Sequence, residues 1–73
     1  MRISARNQIK GTIMEVKKGA TTAHVLVDIG DSNIGGPLIT SSITNESVDR
    51  LGLRVGRSVY VVVKASDVMI GVD

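Results

Sequence analysis

Leu38-Ile39-Thr40-Ser41-Ser42-Ile43, running into Thr44-Asn45-Glu46-Ser47-Val48-Asp49-Arg50-Leu51-Gly52, is the stretch on which the fold turns. The first part is rich in β-branched and small polar residues and reads as a strand, Leu38 to Ile43. Thr44 then offers a side-chain oxygen to cap a helix. Glu46 places an acid in the first turn, where the helix dipole favours it, and Ser47 stands at the third helical position. Val48 and Leu51 make a one-sided apolar stripe, and Gly52 supplies the left-handed stop. One short helix is therefore expected to interrupt a run of strands.

Working outward toward the C-terminus, Arg54-Val55-Gly56-Arg57 is a turn into Ser58 to Lys64, the clearest strand pattern in the chain. Ala65-Ser66-Asp67 breaks it, and Val68 to Val72 reads as a last strand. Toward the N-terminus, Gly30 to Pro37 is a long connection rich in chain breakers. Before it, Thr22 to Ile29 alternates, with Ala23, Val25, Val27 and Ile29 on one face and His24, Leu26 and Asp28 on the other. Lys18-Gly19-Ala20-Thr21 is a turn. From Asn7 to Lys17, Ile9, Gly11, Ile13 and Glu15 alternate with more polar neighbours. The order is β-β-β-α-β-β. It predicts an all-β fold, a small five-stranded OB-like barrel with one short helix between its third and fourth strands, in a single domain spanning residues 1–73.

The composition agrees. Eleven Val, eight Ile and five Thr make about a third of the 73 residues β-branched, and Phe and Trp are absent. A hydrophobic content of 42% with 22% charged residues excludes a disordered chain. The longest unbroken apolar run, Val59 to Val63, is far too short to span a membrane as a helix. The N-terminal Met1-Arg2-Ile3-Ser4-Ala5-Arg6 has no apolar stretch behind its cations, which argues against a secretory leader, and nothing in the sequence argues against the cytoplasm. A chain this short buries little surface for its size and usually needs a staple. With no cysteine and a single histidine, disulfides and cysteine-based zinc sites are excluded. Unusually good packing, ligand binding or self-association remain, and the composition favours association.

For catalysis the residues offer little. The carboxylates Glu15, Asp28, Asp31, Glu46, Asp49, Asp67 and Asp73 are scattered without the spacing of an acid/base pair. His24 has no nucleophile motif near it, no glycine pattern matches a phosphate-cradling loop, and no direct metal-ligand set is present. The chain is read as a non-enzyme, with His24 a half-exposed strand residue. A barrel of this type also raises single-stranded nucleic acid as a ligand. Such binding leans on aromatic residues that stack bases, and Tyr60 is the lone aromatic, read here as a packing residue. A third reading is a structural module whose task is dimerisation.

Cations and hydroxyls stand at three landmarks. Ser4-Ala5-Arg6-Asn7 precedes the first strand, Thr44 and Ser47 flank a helix start, and Lys64-Ala65-Ser66 ends the longest apolar strand. Each has a plain structural alternative: a solvated terminal arginine, an ordinary helix cap, and a lysine that guards a strand edge. Together they offer a guanidinium, an ammonium, hydroxyls and backbone donors, the groups that replace the hydration shell of a tetrahedral oxyanion.

At these segments the chain resembles the molbindins, the small molybdate-binding domains of the Mop or TOBE type. The resemblance is carried by Ile3-Ser4-Ala5-Arg6-Asn7-Gln8, by Ile43-Thr44-Asn45-Glu46-Ser47-Val48 through Leu51-Gly52-Leu53, and by Lys64-Ala65-Ser66-Asp67-Val68-Met69. It runs essentially end to end. It implies a cytoplasmic protein of molybdenum storage or homeostasis that binds molybdate, and tungstate as well, without catalysis. The anion lies at interfaces between subunits of a homo-oligomer, typically a hexamer built as a trimer of dimers. The residues it implies for the anion are Ser4 and Arg6, Thr44 and Ser47, and Lys64 with the backbone N–H of Ala65. Ser66 is a further donor. The connection from Gly30 to Pro37, with its Gly35-Gly36-Pro37, is longer than the short glycine-rich turn of the family; loops tolerate such insertions.

Overall fold

The computed structural model describes residues 1–30 and 37–73. Four strands, β1 (Asn7–Lys18), β2 (Thr22–Asp28), β3 (Leu38–Thr44) and β4 (Ser58–Val63), form one antiparallel sheet in the order β3-β2-β1-β4. The helix α1 (Asn45–Leu51) lies between β3 and β4, and a single 3₁₀ turn (Ala65–Asp67) follows β4. No helix among the described residues is long and apolar enough to cross a membrane. The long connection singled out in the sequence falls mostly on residues 31–36, outside the described residues.

β1 organises the sheet because its two halves serve different neighbours. Asn7 to Thr12 pair with β4, and Thr12 to Lys18 pair with β2. At the crossover the chain must come close to β2. A Cβ on Gly11 would stand 2.6 Å from Val27 Cγ1 and 2.7 Å from the Asp28 carbonyl oxygen, so only glycine fits. Two residues on, the β1–β2 register shifts between Ile13 and Glu15. Such a bulge sharpens the local bend and twist, and the sheet curls into a half-barrel. The bulge also corrects a simple reading of β1. Alternation predicted Glu15 on the same face as Ile13, but Glu15 is exposed and Val16 turns toward the core instead.

The core lies on the concave side. Ile13, Ala23, Val25, Val27 and Val48 are buried, with Val16, Ile29, Ile43, Leu53, Val59 and Val61 half-buried around them. Hydrophobic alternation in β2 appears as expected, Ala23, Val25 and Val27 inward and His24 outward. Burying a side chain of the size of Ile13 contributes about 1.5–3 kcal/mol.

α1 forms as its sequence predicts. Thr44 is the N-cap, with an extended backbone at φ −69° and ψ 150°, and its Oγ1 accepts the Ser47 N–H at 3.0 Å. Gly52 closes the helix at φ +64°; its N–H and that of Leu53 satisfy the Asp49 and Val48 carbonyls. Arg57 adds a second closure, its guanidinium donating to the Leu51 and Gly52 carbonyls at 2.7 and 2.9 Å. Val48 faces the core, whereas Leu51, expected beside it, is more than half exposed.

Two further expectations are corrected. The fifth strand predicted over Val68 to Val72 is not part of this chain's sheet, which has four strands among the described residues. The residues leave β4 through the 3₁₀ turn and run on exposed, Met69, Ile70 and Val72 almost fully so. Tyr60, read as a packing residue, is 52% exposed on β4, because its position in the alternation points away from the inward Val59 and Val61.

Candidate oxyanion site

The expected site residues fall into two groups at opposite ends of β1. Asn7 pairs with Val63 at the last rung of the β1–β4 ladder, and Arg6 and Lys64 are the residues just beyond that rung, one before β1 and one after β4. Two like charges brought to the same end of a sheet repel, and an anion between them offsets that repulsion. Neither side chain has an ion-pair partner among the described residues, where Lys18 with Asp49 is the one salt bridge. Both are exposed, as are Ser4, Ala65 and Ser66 around them.

The 3₁₀ turn shapes this end. Asp67 N–H donates to the Lys64 carbonyl at 2.9 Å and Val68 N–H to the Ala65 carbonyl at 3.3 Å. The donors of the turn are therefore Asp67 and Val68. The N–H of Ala65 opens the turn ahead of them, where a helix of any kind leaves its first amides without an internal acceptor. Ser66, the middle residue of the turn, keeps its hydroxyl on the surface.

Thr44 and Ser47 stand at the other end. Thr44 pairs with Thr22, beside the β1–β2 turn that follows Lys18. The helix start is pinned there by contacts that sequence reasoning missed. Asn45 donates its N–H to the Thr21 carbonyl at 2.9 Å and its side-chain amide to the Gly19 carbonyl at 3.0 Å. Lys18 pairs with Asp49 across the same turn. An asparagine at the first helical position gives no hint of a partner 26 residues away, so only the fold reveals it. The Asn45 Oδ1 is buried and has no hydrogen-bond partner among the described residues.

Hydrogen bonding within the cap decides which hydroxyl is free. Thr44 Oγ1 accepts from the Ser47 amide and donates to Ser47 Oγ at 2.9 Å. Thr44 is thus engaged, and the Ser47 hydroxyl proton is left to point outward. Twelve residues of β1, about 3.3 Å each along the strand, separate this hydroxyl from the Arg6–Lys64 end. One chain does not bring the two groups together around a single small anion. His24, exposed beside Lys17 in the register, belongs to neither group.

Comparison with known proteins finds likeness over nearly the whole chain. The TOBE domain model matches residues 3–70. The chain is 49% identical over 70 residues to molybdenum-pterin-binding protein 2 of Clostridium pasteurianum, covering 96% of this chain and 97% of the relative. Among solved structures, MopII from Clostridium pasteurianum superposes with a TM-score of 0.85 at 46% identity, over 97% of this chain and all of that one. The cytoplasmic molybdate-binding protein ModG, with molybdate bound, superposes with a TM-score of 0.87 at 42% identity. That match covers all of this chain and 49% of ModG.

Proposed function

We propose a function from one premise: the chain belongs to the TOBE domain family, of the Mop or molbindin type. It binds molybdate reversibly and without chemistry, as a cytoplasmic protein of molybdenum storage or homeostasis, and accepts tungstate as well. The observation that carries this reading is Arg6 and Lys64 flanking the last β1–β4 rung, two exposed cations in no salt bridge among the described residues. A dianion placed there converts a repulsion into two charge-assisted contacts. Ser4, the Ala65 N–H and Ser66 add donors at the same end. Neutral donors of this kind fix geometry while leaving the net charge of the site low.

The site is shared between chains of a homo-oligomer, in which Thr44 and Ser47 of one subunit meet the Arg6–Lys64 end of another. Support comes from their placement at opposite ends of β1 and from the outward Ser47 hydroxyl. A trimer of dimers satisfies such pairing. Because the donors then come from two chains, ligand binding and assembly are linked, and molybdate stabilises the particle.

The set of groups also bears on selectivity. Arg6, Lys64 and the Ala65 N–H can only donate. A phosphate hydroxyl therefore finds acceptors only in the serine and threonine hydroxyls, and it leaves a charged donor opposed to its proton where it faces the cations. Calorimetric titration with molybdate, sulfate and phosphate tests the reading. Selective, tight binding of molybdate is expected. No heat with molybdate, together with binding to a single-stranded oligonucleotide, would replace the reading with that of a nucleic-acid module.

A further inference from the structure

Between Thr44 and Ser47, the two hydroxyl residues at the Lys18 end of β1, stands Asn45, the first residue of α1. It holds the β1–β2 turn at two points. Its backbone N–H donates to the Thr21 carbonyl at 2.9 Å, and its side-chain amide donates to the Gly19 carbonyl at 3.0 Å. The turn is itself closed by the Gly19 N–H on the Thr22 carbonyl at 2.7 Å, and Thr22 pairs with Thr44 in the sheet. Residues of the turn thus grip the helix start from one side. A helix of seven residues has little stiffness of its own. α1 buries a single side chain, Val48, which is one pivot about which the cap turns unless something holds it.

As a stabilising device this grip is poor. Asn45 Oδ1 is buried and has no hydrogen-bond partner among the described residues. A buried acceptor without a partner offsets what the donated hydrogen bond contributes. Alanine, the best helix former, would lose that one side-chain bond, shed the orphaned oxygen and keep the backbone bond to Thr21. For stability the asparagine is close to neutral. What it supplies is direction.

We infer that Asn45 is a positioning residue of the oxyanion site, whose clamp on the Gly19 and Thr21 carbonyls sets the direction in which the Ser47 hydroxyl meets the anion. The cap moves as one unit, because Thr44 Oγ1 accepts from the Ser47 amide and donates to Ser47 Oγ. Fixing the cap therefore fixes the hydroxyl. A hydrogen bond weakens steeply with misalignment, and a donor held in place beforehand binds with less loss of freedom. The inference deepens the proposed function and rests on it.

Molybdate titration of Asn45→Ala, Ser47→Ala and the double variant, with denaturant unfolding of each, tests it. Asn45→Ala should bind molybdate about 3- to 10-fold more weakly, the factor of one neutral hydrogen bond, with its unfolding midpoint close to that of wild type. A residue that only supports the helix would do the reverse, lowering the midpoint and leaving affinity alone. In the Ser47→Ala background the same substitution should cost less than about 2-fold, because the group it orients is gone. Unchanged affinity of Asn45→Ala, or equal losses in both backgrounds, would overturn the inference. The wild type supplies a check that needs no variant to fold. Without molybdate, its Asn45 amide should exchange with deuterium at least about 10-fold more slowly than in an unstructured peptide; free exchange would overturn the clamp. A wild type that binds no molybdate, or a Ser47→Ala variant that binds as wild type does, would overturn the proposed site and the inference together. Wild-type binding beside an unaltered Asn45→Ala would overturn the inference alone.

Discussion

The two ends of β1 are built differently. At the Lys18 end most polar groups find partners within the chain, the buried Asn45 Oδ1 excepted: Lys18 pairs with Asp49, Thr44 caps the helix through Ser47, and Asn45 ties that helix to the β1–β2 turn. At the Asn7 end it does not. Arg6 and Lys64 flank the last β1–β4 rung with no salt-bridge partner among the described residues, and the tail beyond them is exposed. Local hydrogen bonds can be satisfied within a single 73-residue chain. Concentrated positive charge and an apolar edge call for something outside it. The contrast separates an end largely tied down within the chain, where the Ser47 hydroxyl is what is left over for a ligand, from an end whose cations and tail are both left available.

The largest effect is expected between the two ends, where β1 crosses to its second neighbour. Gly11→Ala drives a methyl into Val27 and the Asp28 carbonyl, and the backbone oxygen is held by the sheet. A loss of about 3 kcal/mol or more is expected in chemical denaturation, at the upper end of the range for overpacking. A loss below about 1 kcal/mol would mean that the crossover is looser than drawn.

At the unpaired end, Arg6→Ala and Lys64→Ala should each weaken molybdate binding by about 1.5–3 kcal/mol, the scale of hydrogen bonds to charged groups. Their stability without molybdate should be unchanged or slightly raised, since each relieves a like-charge repulsion. Calorimetry and thermal melts in parallel read both. Unchanged affinity in both variants would remove these residues from the site.

At the satisfied end the order reverses. Thr44→Ala removes the cap and should cost about 1 kcal/mol of stability, measured with no ligand present. Smaller still is Lys18→Ala, whose ion pair is half exposed on the lysine and more so on the aspartate. Such surface pairs contribute about 0.2–1 kcal/mol. A larger loss for Lys18→Ala than for Thr44→Ala would break the ranking of cap over ion pair.

Much of this was legible in the sequence because it depends on neighbours in the chain. Thr44, Glu46 and Gly52 mark the helix within nine residues, and alternation from Ala23 to Val27 places β2 in the core. What depends on distant partners was not. The bulge after Ile13, which turns Glu15 outward, arises from the bend of β1 between two neighbours, and the Asn45–Gly19 contact from folding α1 onto a turn. The tail reads as a strand from its own residues, yet a strand needs a free edge to pair with, and its own chain turns it away. For the site, the resemblance supplied the residues, and the register supplied their division between the ends of β1.

That division makes the central claim directly measurable. A chain carrying Arg6→Ala and Lys64→Ala keeps only the Thr44–Ser47 half of each site, and a chain carrying Thr44→Ala and Ser47→Ala keeps only the other. Each alone should bind molybdate weakly. Refolded together in equal amounts, the two should recover tight binding at a fraction of the wild-type sites, because mixed pairs contain one intact site and one doubly damaged one. Titration of the mixture reads that fraction as stoichiometry. Recovery of high-affinity sites is the expected result; a mixture that binds no better than its two components would contradict a site shared between chains.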